Sequence, residues 1–127
     1  MGVKRILLVE DDFDIGEALG ELLRDLGHSV ELATNGAHAL ERLRANGSGN
    51  GSDKYDVILL DLMMPVMDGY EFRRLQLAEA RFARIPVVII SADTKAASRL
   101  DELRPTALLG KPVPIDKLTA LIDKLPN

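Results

Sequence analysis

Residues 57–69 read VILLDLMMPVMDG. Four apolar residues, Val57 to Leu60, run without alternation and stop at a carboxylate, Asp61. Pro65 follows, and Asp68-Gly69 closes the break. A short continuous apolar run bounded by turn residues reads as a strand covered on both faces. A carboxylate at such a strand end is, alone, an ordinary turn residue. It acquires meaning when other polar groups converge on the same place.

The same punctuation recurs on either side. Ile6 to Val9 is an apolar run closed by Glu10-Asp11-Asp12, and VVII, opened by Pro86, ends at Ser91. Thr106 to Leu109 is a weaker strand that runs into Gly110-Lys111-Pro112, and Ser29 to Ala33 alternates as a half-buried strand. Between them lie segments of helical period. Ile15, Ala18, Leu19, Leu22, Leu23 and Leu26 mark one helix face, with Asp12 or Asp14 as N-cap and Gly27 as the stop. Ala37, Leu40 and Leu43 mark a second helix, and Tyr70 to Ala80 a third that presents Phe72, Leu75 and Ala78. Lys95 to Leu103 is a weak fourth, and Ile115 to Leu125 a fifth. The stretch 46–54, NGSGNGSDK, reads as a flexible loop within one domain.

Strand and helix alternate five times. This predicts an α/β fold with a parallel sheet and helices on both faces. Right-handed crossovers then bring every strand-to-helix loop to one edge, where open sheets of this kind bind ligands. Glu10, Asp11, Asp61, Ser91 and Lys111 all fall on that rim, although they span about 100 residues.

Composition narrows the chemistry. The chain has 127 residues, the size of one domain, and 46% are hydrophobic, which supplies a core. Its net charge of −4 argues against direct nucleic-acid binding through a broad basic surface. It has no cysteine, which excludes disulfides, thiol catalysis and cysteine zinc sites. The two histidines, His28 and His38, are too few and too scattered for a histidine metal site and read as surface residues. No apolar run approaches a membrane span, and there is no signal-peptide pattern, so the expected location is the cytoplasm.

Several carboxylates held close together repel, and a hard divalent cation with oxygen ligands relieves that repulsion. Mg²⁺ suits such a rim, because it takes one or two carboxylates, keeps waters and bridges to phosphate oxygens. A carboxylate beside Mg²⁺ and a lysine can attack a phosphoryl group and form an acyl phosphate.

The segments ILLVEDD, DVILLDLMMPVMDG, VVIISA and GKPV resemble the receiver domain of two-component response regulators, in order and each after a strand. The resemblance runs from Ile6 to Leu125, and 1–127 is taken as one receiver domain. It implies a flavodoxin-like, doubly wound (βα)5 fold with sheet order 2-1-3-4-5. It makes Asp61 the phosphoacceptor, with Asp11 and Asp61 on Mg²⁺ directly, Glu10 through water, and the Met63 carbonyl as a further ligand. Ser91 becomes the switch hydroxyl and Lys111 the phosphate-pairing lysine, with a cis bond to Pro112. Met63 and Asp93 flank the route of attacking water in such a site. The implied donor is a histidine kinase or a histidine phosphotransfer protein. The implied output is an unidentified protein target, with a possible homodimer through the fourth helix, fifth strand and fifth helix. The implied chemistry is self-phosphorylation and self-dephosphorylation, without a released substrate.

The sequence departs from that family at three points. The aromatic residue usual three positions before the lysine is Leu108. The Gly-Ala usual before the fifth strand is replaced by Pro105-Thr106. Ser91 and Lys111 are only 20 positions apart, which predicts an abbreviated fourth helix. Leu108 and the short fourth helix point toward an alternative, a degenerate receiver that docks constitutively, while the presence of all the catalytic residues argues against it. An aspartate-nucleophile phosphatase is a weaker rival: Asp12-Phe13-Asp14 supplies its D-x-D, but Ile15-Gly16 breaks the motif and 127 residues are expected to be too few for a cap.

Plainer roles stand beside the functional ones. Asp12 is better read as a helix cap than as a metal ligand. Gly69 is assigned to a positive φ and Asp68 to the start of the next helix. Met63, Met64 and Met67 line a loop, and Pro112 and Pro114 suit a helix start. Arg73, Arg74, Arg81 and Arg84 form a basic run assigned to solvent.

Overall fold

The computed structural model describes residues 2–46 and 55–126. The strands are β1 (Arg5–Val9), β2 (Ser29–Ala33), β3 (Val57–Leu60), β4 (Val87–Ser91) and β5 (Ala107–Gly110). The helices are α1 (Phe13–Asp25), α2 (Gly36–Asn46), α3 (Gly69–Ala78), α4 (Leu100–Leu103) and α5 (Ile115–Lys124). All five strands are parallel, as the apolar runs implied, and their order is β2-β1-β3-β4-β5, as the family resemblance implied.

The central strands are apolar on both faces because both faces are covered. On one side Leu7, Val9, Ile58, Leu60 and Ile89 pack with Leu40 and Leu43 of α2, Phe72 of α3 and Leu103 of α4. On the other, Ile6, Leu8, Leu59, Val88 and Ile90 pack with Leu19 and Leu23 of α1 and Leu118 and Ile122 of α5. The alternation of side chains along each strand assigns odd and even positions to different cores.

Local chemistry sets the boundaries. The Asp12 side chain accepts the Ile15 amide at 3.1 Å and starts α1, which decides between the two candidate caps. Gly27, with φ +99°, ends it, and the His28 amide returns to the Leu23 carbonyl at 3.1 Å. Helix α2 continues through Asn46, one residue into the stretch read as loop; the rest of that stretch, 47–54, lies outside the described residues.

The weak fourth helix is a 3₁₀ turn, Ala96–Arg99, followed by the single α-turn of α4. Arg104 stops it in the left-handed region at φ 45°, immediately before Pro105. A residue that precedes proline is disfavoured in the helical region, so the abbreviation is written into Arg104-Pro105.

The two sheet edges differ. β2 carries Glu31 at its centre, where it meets Arg42 at 2.9 Å and accepts from the Tyr55 hydroxyl at 2.9 Å. β5 is four residues long, with Pro105 two positions before it and Pro112 two positions after it.

Candidate functional site

The rim predicted from the strand ends exists. Glu10 follows β1, Asp61 follows β3, Ser91 ends β4 and Lys111 follows β5. β1 and β3 are in register at Val9↔Leu60, which puts Glu10 and Asp61 side by side. β3 and β4 are in register at Leu60↔Ile89, so Ser91 lies one position beyond the level of Asp61. Ser91 itself is in register with Gly110, next to Lys111.

Glu10 and Asp61 are 8% and 5% exposed, so neither carboxylate is freely solvated. The Lys111 ammonium donates to Glu10 Oε1 at 2.8 Å and to Asp61 Oδ2 at 3.1 Å. The Asp12 amide donates to Glu10 Oε2 at 3.1 Å, and the Met63 amide to Asp61 Oδ1 at 3.3 Å. Burial raises the Glu10 carboxyl above its ordinary 4.5 and the Asp61 charge adds to this, while Lys111 and the Asp12 amide pull the other way. Burial acts to lower the Lys111 ammonium, but its bonds to Glu10 and Asp61 outweigh that and raise it above 10.5. One cation thus ties two carboxylates that would otherwise repel.

Carboxylate oxygens of Glu10, Asp11 and Asp61 all lie within 4.8 Å of one another. Asp11 is exposed. This donor set, oxygen only and anionic, fits a hard divalent cation of the Mg²⁺ kind. Met63 is 60% exposed, and its main chain, through the amide, is the part that meets Asp61.

Ser91 is 5% exposed, and its hydroxyl oxygen accepts the Asp93 amide at 3.0 Å. Leu108 is half-buried against the α2–α3–α4 core, opposite Ile89 in register. The Lys111–Pro112 bond is cis.

Gly69 requires a correction. Its φ is not positive; the only glycine with positive φ among the described residues is Gly27. A Cβ at Gly69 would lie 2.5 Å from the Asp61 carbonyl oxygen and 2.8 Å from the Leu62 Cα. The residue is needed for close approach. It lets the start of α3, capped by Asp68 through the Glu71 amide at 2.9 Å, rest directly on the backbone that carries Asp61.

Arg73 is a second correction. Instead of facing solvent it is 5% exposed and donates to the Leu103 carbonyl, the Arg104 carbonyl and Gln76 Oε1, each at 2.7 Å. The carbonyls at the end of α4 have no helical partner, and the guanidinium supplies one. Arg74 and Arg81 do lie in solvent, paired with Glu71 and Glu79 at 2.6 and 3.0 Å.

The histidines also have structural partners: His28 Nδ1 accepts the Lys4 amide at 3.0 Å and His38 Nδ1 the Thr34 amide at 3.2 Å. Sequence reasoning missed Gln76 as well, whose buried amide donates to the Phe82 and Ile85 carbonyls at 3.0 and 3.2 Å and shapes the return to β4.

Comparison with known proteins agrees with this geometry. The family model described as the response regulator receiver domain matches residues 6–123. The transcriptional regulatory protein CrdR of Helicobacter pylori is 32% identical over 127 residues, which cover 98% of this chain and 55% of that protein. The receiver domain of a signal transduction histidine kinase from Syntrophus aciditrophicus superposes with a TM-score of 0.83 at 27% identity, covering 96% of this chain and 89% of that one. The response regulator TrrA of Thermotoga maritima, solved in complex with Mg(2+)-BeF, gives 0.81 at 28% identity and covers 98% of this chain and all of that one (100%). The chain spans about half, or less, of the length of the curated relatives it matches, with 55% and 15% as examples. With strand order, acidic rim and family match in agreement, this chain belongs to the receiver domains of two-component response regulators.

Proposed function

We propose that the chain is a phosphoacceptor switch that takes a phosphoryl group from a phosphohistidine donor onto Asp61. The observation that carries this reading is Asp61 itself: a nearly buried carboxylate bonded to Lys111 at 3.1 Å and within 4.8 Å of the Glu10 and Asp11 oxygens. An Asp61 oxygen attacks phosphorus, the P–N bond to the donor imidazole breaks, and its electron pair leaves with that nitrogen. The product is an acyl phosphate on Asp61.

Glu10, Asp11 and Asp61, whose carboxylate oxygens lie within 4.8 Å of one another, would hold Mg²⁺, with the Met63 carbonyl as a further candidate ligand. Bound there, Mg²⁺ supplies neutralising charge to the transferring phosphoryl oxygens. The Lys111 ammonium supplies a second positive charge from the β5 side, and the buried setting strengthens it. Ser91 donates its hydroxyl to the phosphoryl group after transfer. The domain acts on itself and releases no substrate, so it is a switch and not an enzyme. Its donor is a histidine kinase or a histidine phosphotransfer protein, its target is a protein, and it works in the cytoplasm.

Intact mass after incubation with Mg²⁺ and acetyl phosphate tests the reading. A gain of one phosphoryl group is expected, sensitive to hydroxylamine and absent with EDTA or in Asp61→Asn. No gain, from either acetyl phosphate or a phosphorylated histidine donor, overturns it.

A further inference from the structure

The aromatic residue missing at Leu108 has a counterpart on another element. Tyr70 is the second residue of α3, directly after the glycine that seats this helix on the Asp61 backbone. Its hydroxyl donates to Asp93 Oδ2 at 2.6 Å. A phenol bonded to a carboxylate at this distance is a charge-assisted pair. The other oxygen of Asp93, Oδ1, accepts the Lys95 amide at 2.9 Å, and the Asp93 amide donates to the Ser91 hydroxyl oxygen at 3.0 Å.

One residue therefore grips α3 with its side chain and the site serine with its main chain. Arg99 closes the arrangement, with its guanidinium 3.7 Å from the centre of the Tyr70 ring. One turn along α3, Arg73 holds the carbonyls of Leu103 and Arg104. Helix α3 thus clamps the segment from Ser91 to Arg104 at both ends.

We propose that Tyr70 is a positioning residue for Ser91. Through Asp93 it holds the Ser91 hydroxyl in the resting arrangement, and it moves when that hydroxyl turns to an acyl phosphate on Asp61. This rests on the phosphoacceptor reading above. A Ser91 oxygen drawn toward Asp61 has to lengthen or break its bond from the Asp93 amide. The strain passes to the Asp93 carboxylate, and from there to Tyr70 and Arg99. The signal then emerges between α3 and α4, and not through a swinging ring on β5.

The composition of the chain allows a direct test. It has no tryptophan and two tyrosines, so Tyr55→Phe leaves Tyr70 as the sole emitter. Mg²⁺ with beryllofluoride, an acyl-phosphate mimic, is titrated into this variant while ¹⁹F NMR follows bound fluoride and fluorescence follows Tyr70. Both signals are expected to change with one midpoint. Bound fluoride with unchanged Tyr70 emission overturns the inference and leaves the phosphoacceptor reading standing. No bound fluoride overturns the phosphoacceptor reading, and the inference with it.

Tyr70→Phe and Asp93→Asn, each made in the otherwise unaltered chain, give a second readout by ¹⁹F NMR. Each removes part of the restraint on the resting serine, so each is expected to bind beryllofluoride about three- to tenfold more tightly, the scale of one hydrogen bond. Lower melting temperature with unchanged affinity in both would make Tyr70 merely structural and overturn the assignment.

Discussion

Arg73 is a cation that the fold has taken almost out of water, and burial lowers its pKa to about 10. It stays because three acceptors meet its fork at 2.7 Å. Arg73→Met would strand the Leu103 and Arg104 carbonyls and lower stability by about 2–4 kcal/mol, seen as a drop in the urea midpoint. Tyr70 gives a pH signature of its own. Burial first, and then the bond to Asp93, push its hydroxyl up to about 12. A group raised in the folded state stabilises fully below its ordinary value of 10. That contribution is lost as pH rises from 10 through about 12. Absorbance of tyrosinate in Tyr55→Phe is therefore expected to rise only near the top of that window, and Tyr70→Phe to flatten the alkaline fall in stability.

These two residues also show what the sequence conceals. Glu10, Asp11, Asp61, Ser91 and Lys111 were legible because each stands at a strand end, and parallel topology sends all strand ends to one rim. Arg73 was not, because two of its three acceptors are main-chain carbonyls 30 and 31 residues away, and carbonyls leave no mark in composition. Gly69 was legible as a special position but for the wrong reason. Whether a glycine serves φ or close approach depends on what lies opposite, here the Asp61 carbonyl.

At the scale of elements, the loop from β3 to α3 holds an exception. Val66 has φ 68° and is 87% exposed. A β-branched residue in the left-handed region is strained, by about 1–3 kcal/mol, and here no burial offsets it. Val66→Gly is expected to raise the urea midpoint by an equivalent of about 1 kcal/mol, less than the strain because glycine is freer when unfolded. Helix α4 was readable as weak, since a proline follows its last turn. Its anchoring by α3 was not, because it depends on the Arg73 side chain reaching across from a different helix to the Leu103 and Arg104 carbonyls.

At the scale of the whole molecule, an ion held at the acidic rim would couple binding to folding. A cation held by Asp11 and Asp61 in the folded state alone stabilises by about 2.7 kcal/mol at a hundredfold excess over its Kd. Mg²⁺ is therefore expected to raise the Tm of the unaltered chain by several degrees and to leave Asp61→Asn unmoved, as followed by circular dichroism. The overall architecture was the most legible feature of all, because apolar runs without alternation leave few arrangements open.

The sheet has two open margins, and each carries a deterrent against lengthening the sheet with another molecule. A charge sits in the middle of β2, and proline nitrogens, which have no hydrogen to donate, flank the four residues of β5. Strand-to-strand joining, the route by which crowded chains run together into fibrils, is thereby discouraged on both flanks. A partner would then meet this domain on its helical faces or its acidic rim, where contacts can form and part without rebuilding the sheet.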